Sequence, residues 1–484
     1  CEHCGRETTK LHYCKSCGLA EKDQCSHGDA FPYRKKEIDI REIFSAALKT
    51  LNMRNYPDLI KGVRGTSNKD HTPENLAKGI LRAKHDIFVN KDGTTRYDVT
   101  EMPLTHFRPN EIGTSVEKLR ELGYDHDIYG KELESEDQLL EILPQDVVIP
   151  ACKESPDEGA DEIFFRVANY VDDLLQNLYK LHPIYNLKSK KDLVGQLIVG
   201  LAPHTSAGII GRIIGFSRTQ GCFSNPVWHA EQRRDCEGDE TCIILLADLF
   251  LNFSRRYLPA HRGSTQDAPL VLTTELIPSE ADDMIFDMDT VWKYPLEFYE
   301  AACSHTQPWD YKMEVLNDRL GKAEQYEGIG FTHDTSNINS GIRCSAYKTL
   351  PTMEEKLKGQ MRIAEKIRAV DTGDVARLVI EKHFLKDTKG NLRKFSMQEF
   401  RCVKCNDKFR RPPLVGKCTN CGGKIIFTIA EGSVIKYLEP SISLAEKYQV
   451  PEYLRQSLDL LQRRVEGVFG KEKERQEGLG KWFG

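Results

Sequence analysis

"RRDCEGDETCIILLADLFLNFS", residues 233–254, places carboxylates at every second position, Asp235, Glu237 and Asp239, adds Glu240, and then turns apolar. Residues at i, i+2 and i+4 of an extended segment point to one side. Carboxylates held that close resist joint ionisation unless a cation sits among them. Mg²⁺ suits the place, because it takes hard oxygen ligands from one or two carboxylates and shares its other positions with phosphates. Gly238 would allow a tight bend around the ion. The competing reading is a solvated acidic turn. The apolar run after the acids is expected to be a helix from Ile243 to Phe253, and Cys236, between the acids, is expected to pack.

Upstream, "LVGQLIVGLAPHTSAGIIGRIIGFS" (193–217) is rich in Ile and Val and punctuated by Gly200, Gly208, Gly211 and Gly215. The pattern suits a strand or a helix pressed close to another backbone. His204, Thr205 and Ser206 follow Pro203 and either face a ligand or cap a helix over "TSAGIIGRIIGF". Downstream, "APLVLTTEL" (268–276) reads as a strand. Farther out, 38–52 and 162–182 carry helical periodicity, and 115–124 is a short helix closed by Gly123. Residues 85–100 read as a hairpin around Lys91, Asp92 and Gly93. Helices are expected over 351–370, 435–450 and 452–469, followed by a mixed-charge linker over 470–478.

The chain has 484 residues, 39% apolar and 29% charged, with a net charge of −5. That length suits about three domains. The charge gives no global basic signature, so nucleic-acid contact has to come from local patches. No run of 18 apolar residues and no secretory leader is present, so a cytosolic protein without membrane contact is expected. The sequence opens on Cys1 rather than Met, which leads us to expect functional parts upstream.

Eight of the 15 cysteines fall into two clusters. Cys1, Cys4, Cys14 and Cys17 read C-x2-C-x9-C-x2-C; Cys402, Cys405, Cys418 and Cys421 read C-x2-C-x12-C-x2-C. Each C-x2-C pair offers two thiolates to one tetrahedral ion, so two structural zinc sites are expected. The remaining seven, Cys25, Cys152, Cys222, Cys236, Cys242, Cys303 and Cys344, are read as packing residues. Within the second cluster Arg401, Lys404, Lys408, Arg410, Arg411, Lys417 and Lys424 face the single acid Asp407. Such a ribbon either leans on phosphates or is a solvated basic loop. At the end of the chain, Gln476, Leu479, Trp482 and Phe483 fit Q-x-x-L-x-x-W-F, which a helical turn would present as anchors to a partner. The alternative is a docked hydrophobic terminus.

Taken together, "LAPHTSAGIIGRIIGF", the segment around "RRDCEGDE", "LNFSRRYLP", "RGSTQDAPLVLTTEL", "YPLEFYEA", "FTHDT" and "EFRCVKCNDKFRRPPLVGKCTNCGGK" resemble the large subunit of the archaeal family-D DNA polymerases. The likeness runs from the first cysteine cluster almost to the end and covers the C-terminal part of that subunit. It implies an α+β fold whose catalytic core is a double-psi β-barrel like those of RNA polymerases, with helical insertions and two four-cysteine zinc modules. A first barrel would lie largely upstream of Cys1. The acidic loop of the second would be Asp235, Glu237 and Asp239, holding two Mg²⁺ ions for template-directed transfer of dNTPs to a primer 3′-OH. Arg233 and Arg234 would help with phosphate charge, and Lys404, Lys408, Arg410 and Arg411 would meet primer–template DNA. The resemblance also implies a small subunit that supplies 3′–5′ exonuclease, as a heterodimer or larger, a sliding clamp bound by the terminal peptide, and a nucleoid-associated cytoplasmic location. The family usually reads N-C-D-G-D where this chain reads D-C-E-G-D. The alternative function is therefore a non-catalytic scaffold that binds DNA and clamp around a degenerate site; an RNA polymerase is suggested by the acidic triplet alone.

On this reading the chain divides into a zinc module (1–30), an α/β region packed on the core (31–192), the catalytic barrel (193–320), a helical region (321–397), the basic zinc ribbon (398–430), C-terminal helices (431–470) and the linker with the clamp-binding peptide (471–484).

Overall fold

The computed structural model describes residues 39–63, 74–234, 238–258, 265–330, 337–346, 349–427 and 429–470, together with the backbone of four short strands between His12 and Asp29. The chain forms two compact units, Cys1–Cys344 and Ser345–Gly484. Both helices and strands contribute, as expected for an α+β protein. No helix among the described residues is long and apolar enough to cross a membrane.

The first unit is organised by a mixed sheet. Its strands are β1 (Tyr97–Pro103), β2 (Asp146–Pro150), β3 (Leu197–Leu201), β4 (Ala207–Ser217), β5 (Gly221–Ser224), β6 (Glu240–Leu245) and β7 (Val271–Thr273). Their order is β7-β4-β2-β5-β1-β6-β3, and β3 pairs with β4 as well as with β6. Two of the seven strands, β1 and β2, come from before residue 193 and flank β5 in the order.

Of the two segments weighed as or expected to be helical, one is a strand and the other begins as one. The stretch 207–217 is β4, because its glycines serve sheet packing and its isoleucines fill both faces. A Cβ on Gly211 would lie 2.8 Å from Val147 and 3.1 Å from the Trp228 ring, and one on Gly215 would lie 2.7 Å from the carbonyl oxygen of Ile112. The run from Ile243 begins as β6 and becomes helical only over Leu246–Asn252. Thr241, Ile243, Ile244 and Leu245 are buried, and β6 lies between β1 and β3. A short apolar run with both faces covered carries no periodicity that separates strand from helix.

Other expectations hold with changed limits, except the hairpin over 85–100, whose first arm is not a strand. Helix α1 spans Ile40–Thr50, capped by Asp39. Helix α2 (Leu76–Lys84) precedes the expected hairpin, which is a turn and one strand: Asn90 N–H donates to the Thr94 carbonyl at 2.8 Å, but β1 begins only at Tyr97. The long helix is α3, Ala160–Asp173, followed by a π-helical turn to Tyr179. The strand at 268–276 shortens to the three residues of β7. Buried side chains of α3, Phe164, Val167, Tyr170 and Val171, belong to one core with Ile198, Ile213, Trp228 and Ile243. A second cluster, with Phe107, Ile112, Leu119, Val148, Ile214 and Phe223, fills the other side of β2 and β4.

In the second unit, helices α4 (Met353–Lys366), α5 (Thr372–Leu378), α6 (Leu385–Met397), α7 (Leu438–Lys447) and α8 (Glu452–Phe469) share a core that includes Leu357, Ile380, Phe384, Leu438, Leu454 and Leu461. Between α6 and α7 lies a three-stranded ribbon, Phe400–Cys402, Lys408–Phe409 and Ile425–Phe427.

Candidate active site

The acidic segment joins a one-turn helix to β6. The helix, Pro226–Glu231, is started by the Asn225 side chain, which accepts from Val227 N–H at 2.9 Å, and by Pro226 at its first position. After Gln232 the backbone turns left-handed at Arg233, with φ 65°. Asp235, Cys236 and Glu237 lie outside the described residues. The chain resumes at Gly238, whose φ of 95° suits glycine, and passes through Asp239 into β6.

Both ends of this loop are fastened. Thr241 Oγ1 donates to Gln232 Oε1 at 2.6 Å, and both residues are buried. The backbone N–H of Glu101 on β1 donates to the Asp239 carbonyl at 2.9 Å. Arg234 places Nη1 3.6 Å from Asp239 Oδ2 and donates through Nη2 to the Pro203 carbonyl at 2.9 Å. The structure thus brings the expected residues Arg234 and Asp239 together, whereas Arg233 is simply exposed. The Asp239 side chain is 37% accessible, a hard oxygen donor open to a metal ion.

Beneath the loop lies a pair that sequence reading missed. Glu101 and His229 are fully buried, with His229 Nδ1 3.6 Å from Glu101 Oε1 and His229 Nε2 3.2 Å from the Met102 carbonyl oxygen. Burial pushes the Glu101 carboxyl above the usual range; His229 opposes that shift, and nearby Asp239 adds to it. The signal was available: in "YDVTEMP" strand alternation puts Glu101 on the same side as buried Val99.

On the cleft side, the ends of β1, β3 and β6 and the turn before β1 line an open space of about 550 Å³, with Phe88, Lys91, Arg96, Asp98, His204 and Glu240 at its walls. His204, at φ 65°, donates its N–H to Asp267 Oδ1 at 2.5 Å. Arg96 holds Asp92 at 2.5 Å and the Asp267 carbonyl. Of the residues weighed as ligand-facing or helix-capping, His204 lines the cleft. Thr205 and Ser206 donate to the carbonyls of Ala202 and Thr265, and the segment after them is β4 rather than a helix.

The four cysteines of the ribbon converge. Sγ of Cys402 and Cys421 are 3.4 Å apart, those of Cys405 and Cys418 3.5 Å, and all four lie within 4.8 Å of one another. This donor set fits one tetrahedral metal ion such as zinc with no position left open. Lys404 N–H points to Cys402 Sγ at 3.4 Å, and Gly422 turns left-handed at φ 67°. Lys404, Lys408, Arg410 and Arg411 are all exposed on the ribbon. Of the first cluster, Cys1, Cys4 and Cys17 lie outside the described residues, and Cys14 ends a short strand (His12–Cys14) paired with Gly18–Ala20. Gln476, Leu479, Trp482 and Phe483 also lie outside them. Among the other cysteines, Cys152, Cys222 and Cys242 are buried as packing residues should be, Cys344 is half-buried, and Cys303 is exposed.

Residues 52–356 match the family described as "DNA polymerase II large subunit DP2, catalytic domain". The chain is 48% identical over 485 residues to a protein of Archaeoglobus fulgidus, covering 99% of this chain and 42% of that one. It is 46% identical to one of Nanoarchaeum equitans, over 98% of this chain and 42% of that one, and 46% identical to one of Pyrococcus furiosus, over 97% and 38%. Each of the three is named DNA polymerase II large subunit. The chain spans about two-fifths of the length of these curated relatives.

Proposed function

Because this chain belongs to the family of the DNA polymerase II large subunit, we propose that it carries the acidic half of a site that joins deoxynucleotides to a primer 3′ end on a template. The observation that carries this reading is Asp239, an accessible carboxylate whose backbone is tied to β1 and whose loop is closed by Gln232 and Thr241. The pairings β4-β2-β5-β1-β6-β3 and back to β4 support reading the sheet as the double-psi barrel.

In this reading Asp235, Glu237 and Asp239 hold the Mg²⁺, which when bound offsets charge on the attacking and leaving oxygens. The tie between the Asp239 carbonyl and β1 keeps that residue in place before substrate arrives, so it needs little reorganisation during reaction. Arg234, beside Asp239, reduces repulsion among the acids and offers a guanidinium to phosphate oxygens. Lys404, Lys408, Arg410 and Arg411 meet the DNA backbone, and zinc in each cysteine cluster serves the fold. A small exonuclease subunit and a sliding clamp, the latter bound by Gln476, Leu479, Trp482 and Phe483, complete the assembly, which works in the cytoplasm at the nucleoid.

Primer extension with Mg²⁺ tests this, using the full-length large subunit with its small subunit. Wild type is expected to extend and Asp239→Asn to fail. The sequence D-C-E-G-D keeps a second reading in play, since Glu237 is one methylene longer than the usual Asp and Mg²⁺ demands close geometry. If only Glu237→Asp extends, the chain is a scaffold for DNA and clamp rather than a catalyst.

A further inference from the structure

Between Lys386 and Lys424 the chain carries 11 Lys and Arg against three acids, within a protein whose net charge is −5. Part of that charge lies on α6 and part on the ribbon, and the fold brings the two together as the walls of an open groove of about 720 Å³. Arg393 and Lys394 stand on the helix wall, Arg401 and Lys408 on the ribbon wall, and all four are exposed. Met397, 71% exposed, and Ile429 add apolar surface. The walls are fixed to one another. Gln398, just past the end of α6, accepts from Ile429 N–H at 2.7 Å and donates to the Ile429 carbonyl at 3.2 Å. The one acid lining the groove, Glu399, lies 3.1 Å from Lys408 as a solvent-exposed pair, and against four cations it leaves the site net positive.

We propose that this groove holds one phosphodiester strand of the primer–template duplex, with Arg393 and Lys394 as contacts additional to those of the ribbon. The inference rests on the polymerase reading for the identity of the nucleic acid. Cations on two facing walls match a polyanion that passes between them, whereas a merely solvated helix would spread its charge outward. Apolar Met397 suits the sugar edge of the backbone. Arg401 adjoins Cys402, so the four-cysteine site also sets the position of the ribbon wall.

The test is the salt dependence of binding between this chain and a fluorescent primer–template, read by anisotropy. Each phosphate contact contributes roughly −0.9 to the slope of log K against log salt. Arg393→Gln with Lys394→Gln is expected to weaken binding and make the slope less steep by about 1.8. Lys358→Gln with Arg362→Gln, which removes two exposed cations of α4, is the control and should leave the slope unchanged. Unchanged zinc content and circular dichroism establish that the variants fold. An unchanged slope in the groove variant, or an equal change in the control, overturns the proposal. Primer extension by the complete polymerase separates the two readings. If extension occurs but the slope does not respond, the groove falls and the polymerase reading stands; if the slope responds but no extension occurs, the reverse holds.

Discussion

His229 Nδ1 stands 3.6 Å from Glu101 Oε1 at the base of the acidic loop, and neither side chain has any accessible surface. One residue belongs to the helix that enters the loop, the other to the strand that holds its exit through Asp239. A buried polar pair couples two elements only while both members are present, because each alone leaves a desolvated group at a cost of about 1–3 kcal/mol. Glu101→Ala and His229→Ala should therefore be non-additive, with a coupling of about 1–3 kcal/mol in a double-mutant cycle. Denaturation followed by tryptophan emission would measure it, since buried Trp228 packs edge-on against His229 with ring centroids 5.5 Å apart. Additive losses would mean that the two groups do not act as a pair.

Asp248 supplies a pH dependence whose sign can be worked out. It is fully buried on the helix after β6, accepting from Thr95 N–H and Asn252 Nδ2, each at 2.7 Å. Burial dominates and pushes its carboxyl from 3.8 up to about 6. The folded chain thus keeps a proton that the unfolded chain gives up between those values, so its contribution to stability falls as pH rises from about 4 to 6 and stays low above. At about 1.4 kcal/mol per unit the change is on the order of 3 kcal/mol. Asp248→Asn removes the titration. The stability of the variant relative to wild type should rise by that order between pH 4 and pH 7, and an equal difference at both values would contradict the assignment.

How much of this was legible in the sequence differs by kind of interaction. Helices with one wet face announced themselves: Thr352 and Glu355 form a capping box before α4, and of the apolar stripe Met353, Leu357, Met361, Ala364 and Ile367, Leu357 and Met361 are buried while Ile367, just past the helix end, is exposed. The four ribbon cysteines did too, because thiolate spacing is a local constraint. Strands covered on both faces, β4 and β6, did not, since Ile213, Ile214, Ile243 and Ile244 lack a polar face to set a period. The loop closure was hidden for another reason. Gln232 with Thr241 and Glu101 with His229 are polar contacts made across the fold; strand alternation places Glu101 on the buried side, but nothing beside these residues in sequence marks their partners.

Gly93 tests the turn that leads into β1. Its φ is 96°, and a Cβ there would lie 2.5 Å from the carbonyl oxygen of Asn252. Gly113 has φ 68° but open space around it. Left-handed backbone alone costs an alanine about 1–2 kcal/mol. Overpacking adds about 1–3 kcal/mol where backbone cannot yield. Gly93→Ala should therefore lose clearly more stability than Gly113→Ala in chemical denaturation. Equal losses would show that the turn does not press on Asn252.

The zinc ribbon and the helices around it should come apart on metal removal. The buried core of α4 to α8 is built from residues such as Leu357, Phe384, Leu392, Leu444 and Leu461, and among the described residues none of its members lies between Phe400 and Ile426. The ribbon itself offers only short strands, too few for independent stability without the ion. Cys418→Ser should lower bound zinc by one ion per chain and expose 400–427 to protease, while the far-ultraviolet helical signal is kept. Chelation of wild type should likewise expose 400–427 to protease while the helical signal is kept. A link kept after metal loss would be that of Gln398 and Ile429, whose paired hydrogen bonds belong to the helix side of the ribbon. If the helical signal collapsed together with zinc loss, the ribbon would be part of the helical core's folding unit, and the groove wall it forms could not move independently of α6.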